Sequence, residues 1–204
     1  AAYSGAVTLP TASSVAYGQT LAASTLAGGD SKGTFAWKDP AAVPTVNNTG
    51  YTVVFTPTDT NYSPVEKTVP LTVTPKEVTV LGASAMDRIY DGSTTVTVSG
   101  GTVSALETAD IGKVTLVDTG ASGTVASANI GSGKAVSVTG YVLNGTAAGN
   151  YALIQPTDVT VTITSRDVSV DAGSYTVAKV YDSTADAGTG SGALHTGDIL
   201  TSDT

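Results

Sequence analysis

The sequence predicts an all-β chain made of tandem antiparallel β-sandwich modules. Threonine and valine are abundant, and their branched side chains pack well on a pleated sheet. Apolar residues alternate with threonine in several short runs, most clearly at 69–74 and 159–164, as in strands that bury one face. Clusters of glycine, asparagine, aspartate and proline separate these runs at short intervals, which favours a β-sandwich.

The composition excludes several classes of function. The chain has no cysteine and one histidine, so disulfides, thiolate metal sites, cysteine nucleophiles and histidine triads are closed to it. Its formal charge is -8 with nine basic residues, which leaves no basic patch for a nucleic acid. No run approaches the roughly 20 apolar residues of a membrane-spanning helix. We therefore expect no catalysis, cofactor, metal, nucleic-acid partner or membrane insertion in this segment.

An internal repeat divides the chain. Residues 76–80 and 166–170 both read basic, acidic, Val, hydroxyl residue, Val. Further on, residues 105–111 (Ala-Leu-Glu-Thr-Ala-Asp-Ile) match residues 193–199 (Ala-Leu-His-Thr-Gly-Asp-Ile). The offset is roughly 90 residues at each block, so these are two copies of one unit.

We accordingly predict three segments: a first module at 1–75, a second at 76–165, and at 166–204 the start of a further copy that is cut before half its length. The junctions contain no Gly/Ser spacer. Each final strand passes directly into the next first strand, at Pro75 and Lys76 and again at Ser165 and Arg166. Such short joints make a semi-rigid string rather than freely jointed beads.

Two resemblances fit this division. Residues 6–75 carry Tyr17-Gly, Gly33-Thr-Phe-Ala-Trp37 and Asp59-Thr-Asn-Tyr62, and this combination resembles the bacterial Ig-like modules of large surface proteins. The second module carries Tyr-Asp-Gly at 90–92, a Gly-Lys block at 129–136 and a Gly-Asn-Tyr block at 143–153. That order resembles the YDG domain of bacterial adhesins and other wall-associated proteins. The resemblance implies a structural or adhesive role without catalytic residues.

The residues that we single out are structural. Trp37 is expected to fill the core of the first sandwich. Tyr62 and Tyr151, each after an asparagine, are expected to bury their rings at corners and to bond backbone groups through their hydroxyls. Tyr90, Asp91 and Gly92 are expected to end a strand in a hairpin turn. Tyr181 and Asp182 repeat that motif, with Ser183 where the glycine would be.

Three other interpretations of these residues stay open. Phe35 and Trp37, two apart on one strand, would suit an aromatic platform for sugar. Asp87, Asp91 and Asp110 would supply calcium ligands if they met in space. A buried lysine (Lys76, Lys134 or Lys179) beside an asparagine amide and a carboxyl would form an internal isopeptide bond.

The sequence thus predicts a stalk or adhesin segment of a secreted, bacterial cell-surface protein, with an unknown host or cell-wall ligand. One alternative is a filament subunit in which the incomplete unit 166–204 binds another copy of the chain. The other is a module that binds carbohydrate or a host protein directly.

Overall fold

The computed structural model describes residue 3, residues 5–171, residue 183, residues 192–195 and residues 197–201. Strands make up most of its regular structure, and the helical pieces within these residues are single 3-10 turns at Leu21–Ala23, Thr108–Asp110 and Ala148–Asn150. The predicted all-β class is confirmed. Tyr181 and Asp182 lie outside the described residues, as does Lys179.

The strands before Pro75 are short. They are β1 (Thr11–Ala12), β2 (Val15–Ala16), β3 (Leu26–Ala27), β4 (Gly33–Trp37), β5 (Tyr51–Pro57), β6 (Val65–Val69) and β7 (Val73–Thr74). Those after Pro75 are β8 (Lys76–Ala85), β9 (Arg88–Ile89), β10 (Thr95–Val96), β11 (Val98–Val103), β12 (Thr115–Val117), β13 (Ser122–Val125), β14 (Gly131–Thr139), β15 (Val142–Asn144), β16 (Tyr151–Ile154) and β17 (Thr160–Thr164).

The chain forms two compact units that are each discontinuous in sequence. Unit 1 comprises residues 1–81, 102–117 and 141–155, and unit 2 comprises residues 82–101, 118–140 and 156–204. Unit 1 therefore combines the first predicted module with parts of the second. The module boundaries at 75/76 and 165/166 stay predictions.

In unit 1 the largest antiparallel sheet has the order β4-β5-β6, and β1–β3 and β12–β15 form further antiparallel pairs. Strands β2 and β7 pair in parallel, as do β8 and β16. Val53 and Phe55 on β5 are fully buried, because alternate residues of β5 point into the core. A second cluster of buried residues joins β2 and β7 through Val15 and Val73.

Unit 2 is built on a five-stranded sheet with the order β10-β13-β14-β17-β9. Its buried face carries small apolar side chains, among them Val96, Val136, Val161 and Ile163. The alternation that predicted a strand at 159–164 is the alternation of buried and exposed residues along β17. β9 pairs with β17 in parallel.

The parallel pairs differ from the antiparallel arrangement that we predicted. Most pairs are antiparallel, but β2–β7, β8–β16 and β9–β17 are parallel. Each joins a strand near the start of a predicted module to one near its end, so no tight turn links the partners and dictates their relative direction. In each of these pairs the strand near the start of the predicted module and the strand near its end run in the same direction.

The described part of the last segment forms a small ladder. Val170 pairs with Leu194 in an antiparallel bridge, and His195 donates its N–H to the carbonyl of Ser169 at 2.8 Å. Val168 and Val170 are 56% and 55% exposed, whereas Val78 and Val80, which match them in the predicted repeat, are almost completely buried. The proposal that another chain covers this segment stays a prediction.

Phe55→Ala is expected to lower the free energy of unfolding of unit 1 by about 3–5 kcal/mol, because it removes a fully buried ring. Urea unfolding measures this change. Thr56→Ala, on the exposed face of the same strand, is the control and should change stability by less than about 1 kcal/mol. Equal effects of the two substitutions would contradict the assigned burial.

Candidate functional site: a carboxylate held by two tyrosines

The most distinctive polar group of unit 1 is the buried carboxylate of Asp110, which is only 5% exposed. It lies at the end of the 3-10 turn Thr108–Asp110. The hydroxyl of Tyr17 donates to its Oδ2 at 2.6 Å, and the hydroxyl of Tyr151 donates to the same atom at 2.7 Å. We call Tyr17, Asp110 and Tyr151 the tyrosine–aspartate cluster.

Backbone structure fixes both phenols. Tyr17 follows β2 directly, and its N–H donates to the carbonyl of Thr74 at 2.9 Å. Tyr151 opens β16, and its hydroxyl also accepts the N–H of Glu107 at 3.0 Å. The two rings meet edge to face, with centroids 5.4 Å apart and planes at 79°, which is a favourable aromatic geometry.

Apolar contacts surround the cluster. The ring of Tyr151 belongs to a buried group with Val78, Val114 and Ala147. Tyr17 packs against this group and also against the separate core cluster around Val15 and Val73. Tyr17 therefore connects these two hydrophobic clusters while its hydroxyl reaches Asp110.

Two further polar contacts flank the cluster. The ammonium of Lys76 lies 2.5 Å from Oε1 of Glu107, with both side chains about one-third exposed. The side-chain oxygen of Asn150 accepts the N–H of Val46 at 3.0 Å. Gly18, with φ +93°, lies against the Glu107 side chain, and a Cβ at this position would meet the carboxylate. Residues before Pro75 are thus hydrogen-bonded at two points to residues after it, from Tyr17 to Asp110 and from Val46 to Asn150.

The hydrogen bonds decide the charge state of the cluster. Burial by itself raises the pKa of Asp110, but the bonds from Tyr17 and Tyr151, together with Lys113, outweigh it and hold that pKa below its ordinary value. Burial and the bond to Asp110 raise the pKa of Tyr151 to about 12, and the same two causes raise the pKa of Tyr17. The cluster at neutral pH therefore consists of one carboxylate and two neutral phenols.

The chemistry of this cluster suits a structural contact that holds distant parts of the chain together. Its carboxylate is ionised and enclosed, and both phenols are held neutral at neutral pH.

Among the described residues no group of three or more histidine, aspartate or glutamate side chains is placed to hold a metal ion. Asp110, one of the three proposed calcium ligands, has its Oδ2 occupied by the two hydroxyls. No helix of the described chain is long and apolar enough to cross a membrane.

The residues predicted at the two corners differ in placement. Tyr151 buries its ring and bonds a backbone N–H. Tyr62 is 40% exposed, contrary to the expectation of a buried ring. It lies at the turn before β6, where Asp59 closes the turn by accepting the N–H of Asn61, and its ring contacts that of Tyr3 edge to face at 5.5 Å.

Trp37 was expected in the centre of the first core, but the structure puts it at the margin. It is partly buried against Leu21 and Leu71, and its indole N–H donates to the carbonyl of Ser24 at 3.1 Å. Phe55 fills the centre instead. Phe35 contacts Phe55 at 4.9 Å between centroids, so these aromatic residues pack inward.

The Tyr90-Asp91-Gly92 segment forms a turn, and Gly92 has a φ of +74°. It does not close a hairpin, because β9 pairs with β17 and β10 pairs with β13. Asp91 instead closes the turn itself by accepting the N–H of Ser93 at 2.9 Å. It also holds the guanidinium of Arg88 at 2.6 Å.

The predicted junction residues are mostly exposed. Pro75, Ser165 and Arg166 lie at the surface, and Lys76 is partly buried in its ion pair with Glu107. Arg166 donates from Nε to the carbonyl of Asp198 at 2.9 Å. Lys76 thus has a carboxylate beside it.

A comparison with protein families decides the identity of the second segment. The model of the YDG domain matches from residue 74 to residue 161. Residues 74–161 are a YDG domain. This domain supplies Asp110, Glu107 and Tyr151, while Tyr17 belongs to the chain that precedes it. No curated protein and no solved structure matches the chain.

Sequence reasoning missed Tyr17 and Glu107 as partners and considered Asp110 only for calcium. A usable signal was present, because Asp110 and Asp198 occupy the same place in the two matched blocks. A carboxylate that recurs at one position of a repeat, in a chain with few charges, points to a structural contact.

Tyr17→Phe removes one hydroxyl from the cluster and is expected to lower the free energy of unfolding by about 1.5–3 kcal/mol, the contribution of a hydrogen bond to a charged group. Urea unfolding at neutral pH measures the loss. Tyr62→Phe is the matched control and should have little effect, since Tyr62 is exposed. A Tyr17→Phe variant as stable as the wild type would contradict the role of the hydroxyl.

The pH dependence of stability should follow the cluster. The lowered pKa of Asp110 stabilises the fold above about pH 4, and this contribution is lost as the pH falls through the folded-state pKa. The raised phenol pKa values stabilise it below about pH 10, and this contribution is lost as the pH rises through them. Urea unfolding across this range should give a flatter profile at both ends for Asp110→Asn. Parallel profiles for the variant and the wild type would exclude Asp110 as the titrating group.

Proposed function

We propose that this chain is a non-catalytic structural segment, a stalk, of a bacterial cell-surface protein, and that residues 1–75 form an Ig-like module in front of the YDG domain. The observation that carries the proposal is the parallel pairing of entering and leaving strands. It occurs before Pro75 in β2–β7 and after it in β8–β16 and β9–β17.

Parallel terminal strands suit a chain under tension. When the two ends of a module are pulled apart, partners that run in the same direction slide along each other. Their inter-strand hydrogen bonds run across the strands and are then loaded together instead of opening one after another. Tyr17 and Tyr90 each extend such a pair by one further bond, to the carbonyls of Thr74 and Thr164 at 2.9 Å.

The tyrosine–aspartate cluster supports the same role. It joins residues before Pro75 to the YDG domain by the hydrogen bond from Tyr17 to a buried charge. The ion pair between Lys76 and Glu107 lies at the first residue of β8. A joint of this kind transmits force where a flexible linker would absorb it. In the proposed arrangement the segment holds a region that binds a host or cell-wall ligand away from the cell.

The surface composition is compatible with a location outside the cell. Charged residues are 13% of the chain, so threonine, serine and asparagine supply much of its polarity. The absence of cysteine removes any dependence on the redox state of the compartment.

Antibodies against the chain, applied to intact bacteria that produce it, test the proposal. We expect immunogold label on the cell surface and release of fragments by protease added to whole cells. A cytoplasmic enzyme detected in the same samples is the control for lysis. Label that appears only after the cells are broken open would refute the surface location.

A cleft at one end of unit 1 favours carbohydrate binding as a second function. It has a volume of about 490 Å³, and Tyr3, Lys32, Asp59 and Tyr62 are among the residues that line it. Two tyrosine rings beside a cation and a carboxylate combine an apolar surface for a sugar ring with groups that bond its hydroxyls.

Tyr62→Ala tests this second function. If the cleft binds a sugar, the variant should weaken binding to cell-wall glycans on an array by roughly ten-fold, or about 1.4 kcal/mol. Tyr62→Phe keeps the ring and should retain most of the affinity. Absence of glycan binding by the wild-type chain would leave the structural function alone.

A further inference from the structure

Tyr17 and Tyr90 occupy the same backbone position in two different modules. In β2–β7, Ala16 faces Thr74, and the next residue, Tyr17, donates its N–H to the Thr74 carbonyl at 2.9 Å. In β9–β17, Ile89 faces Thr164, and Tyr90 donates its N–H to the Thr164 carbonyl, also at 2.9 Å. Each tyrosine thus stands one residue beyond a parallel pair and bonds the end of the partner strand, β7 or β17, which leads into the next repeat.

The acceptor side of the contact is repeated as well. Asp110 and Asp198 are the second-last residues of the matched blocks at 105–111 and 193–199. Both close the same turn, with the N–H of Asp110 donating to the Glu107 carbonyl at 2.9 Å and the N–H of Asp198 donating to the His195 carbonyl at 3.0 Å. Both blocks follow a segment that starts with a basic residue, Lys76 or Arg166.

We propose that Tyr90, the tyrosine of the Tyr-Asp-Gly motif, docks the repeat that follows the YDG domain by donating its hydroxyl to Asp198, as Tyr17 does to Asp110. The Tyr-Asp-Gly motif of the domain then supplies the donor of a hydrogen bond between two successive repeats. The Asp of the Ala-Leu-x-Thr-x-Asp-Ile block in the following repeat is the acceptor.

The hydrogen bonds that Asp198 accepts in the structure are ones that a tyrosine hydroxyl can replace. Its Oδ2 accepts the N–H of Ser169 at 2.9 Å and the hydroxyl of Ser169 at 2.6 Å. The counterpart of Ser169 in the YDG domain, Thr79, gives its N–H to Ser104 instead, and Oδ2 of Asp110 takes the tyrosines. Ser169 therefore supplies the two bonds that phenols supply in the complete contact.

A compensating pair of sequence changes supports the assignment. Next to Tyr17 stands Gly18, against the carboxylate of Glu107, where an acidic side chain would be repelled. Next to Tyr90 stands Asp91, and the residue that matches Glu107 in the following repeat is His195. Beside the tyrosine, Asp91 thus stands where the first contact has Gly18. Near the aspartate, His195 stands where the first contact has Glu107, so two acidic side chains do not face each other in either contact.

Fluorine NMR of the full 204-residue chain labelled with 3-fluorotyrosine tests the proposal. The Tyr90 signal is assigned from its loss in Tyr90→Phe, a variant that retains the ring. Asp198→Asn should shift the Tyr90 signal, and Ser169→Ala, which removes a competing donor, should shift it in the opposite direction. Asp110→Asn should shift the Tyr17 signal and provides the size of the expected effect.

Asp118→Asn, at an exposed position, is the matched control and should leave the Tyr90 signal in place. A Tyr90 signal that stays unchanged in both Asp198→Asn and Ser169→Ala would overturn the proposal. Only the use of this contact in a stalk rests on the proposed function. Cell labelling tests that function separately, so either can fail while the other holds.

Discussion

The structure of unit 1 depends on how one buried negative charge is satisfied. A carboxylate removed from water must receive strong hydrogen bonds or give up its charge. Asp110 accepts two phenolic hydroxyls, that of Tyr17 directly after β2 and that of Tyr151 at the start of β16. Meeting that requirement fixes the position of both strands relative to the turn Thr108–Asp110. The hydrophobic clusters on either side of Tyr17 then pack in one arrangement.

A polar fastener of this kind provides specificity that an apolar contact lacks. Valine surfaces can slide against each other with a small change in buried area, because the hydrophobic effect is not directional. A phenol displaced by a few ångströms would leave the carboxylate buried without its donor, which costs several kcal/mol. Asp110 therefore selects one register between the residues before Pro75 and the YDG domain.

The sequence predicted what depends on neighbouring residues and missed what depends on distant ones. Alternation predicted the strand at β17, and Asp91-Gly92 predicted the turn after β9, because both patterns are local. The hairpin expected at that turn is not formed, because strand pairing is not local. The local pattern Asn-Tyr made Tyr62 and Tyr151 look equivalent, yet one is exposed and the other buried. Burial is decided by residues far away in the chain, and the bond between Tyr17 and Asp110 spans 93 positions.

The discontinuous composition of unit 1 has a consequence for biosynthesis. A chain that leaves a ribosome or an export channel emerges N-terminal end first. Residues 1–75 then appear long before Tyr151 and the rest of the stretch 141–155 that completes their unit. Closure of unit 1 must wait for most of the YDG domain to emerge, and pairing across such separations is slow. Until Asp110 has emerged, the phenol of Tyr17 has no carboxylate to bind, so this contact forms only after about two-fifths of the YDG domain has been made.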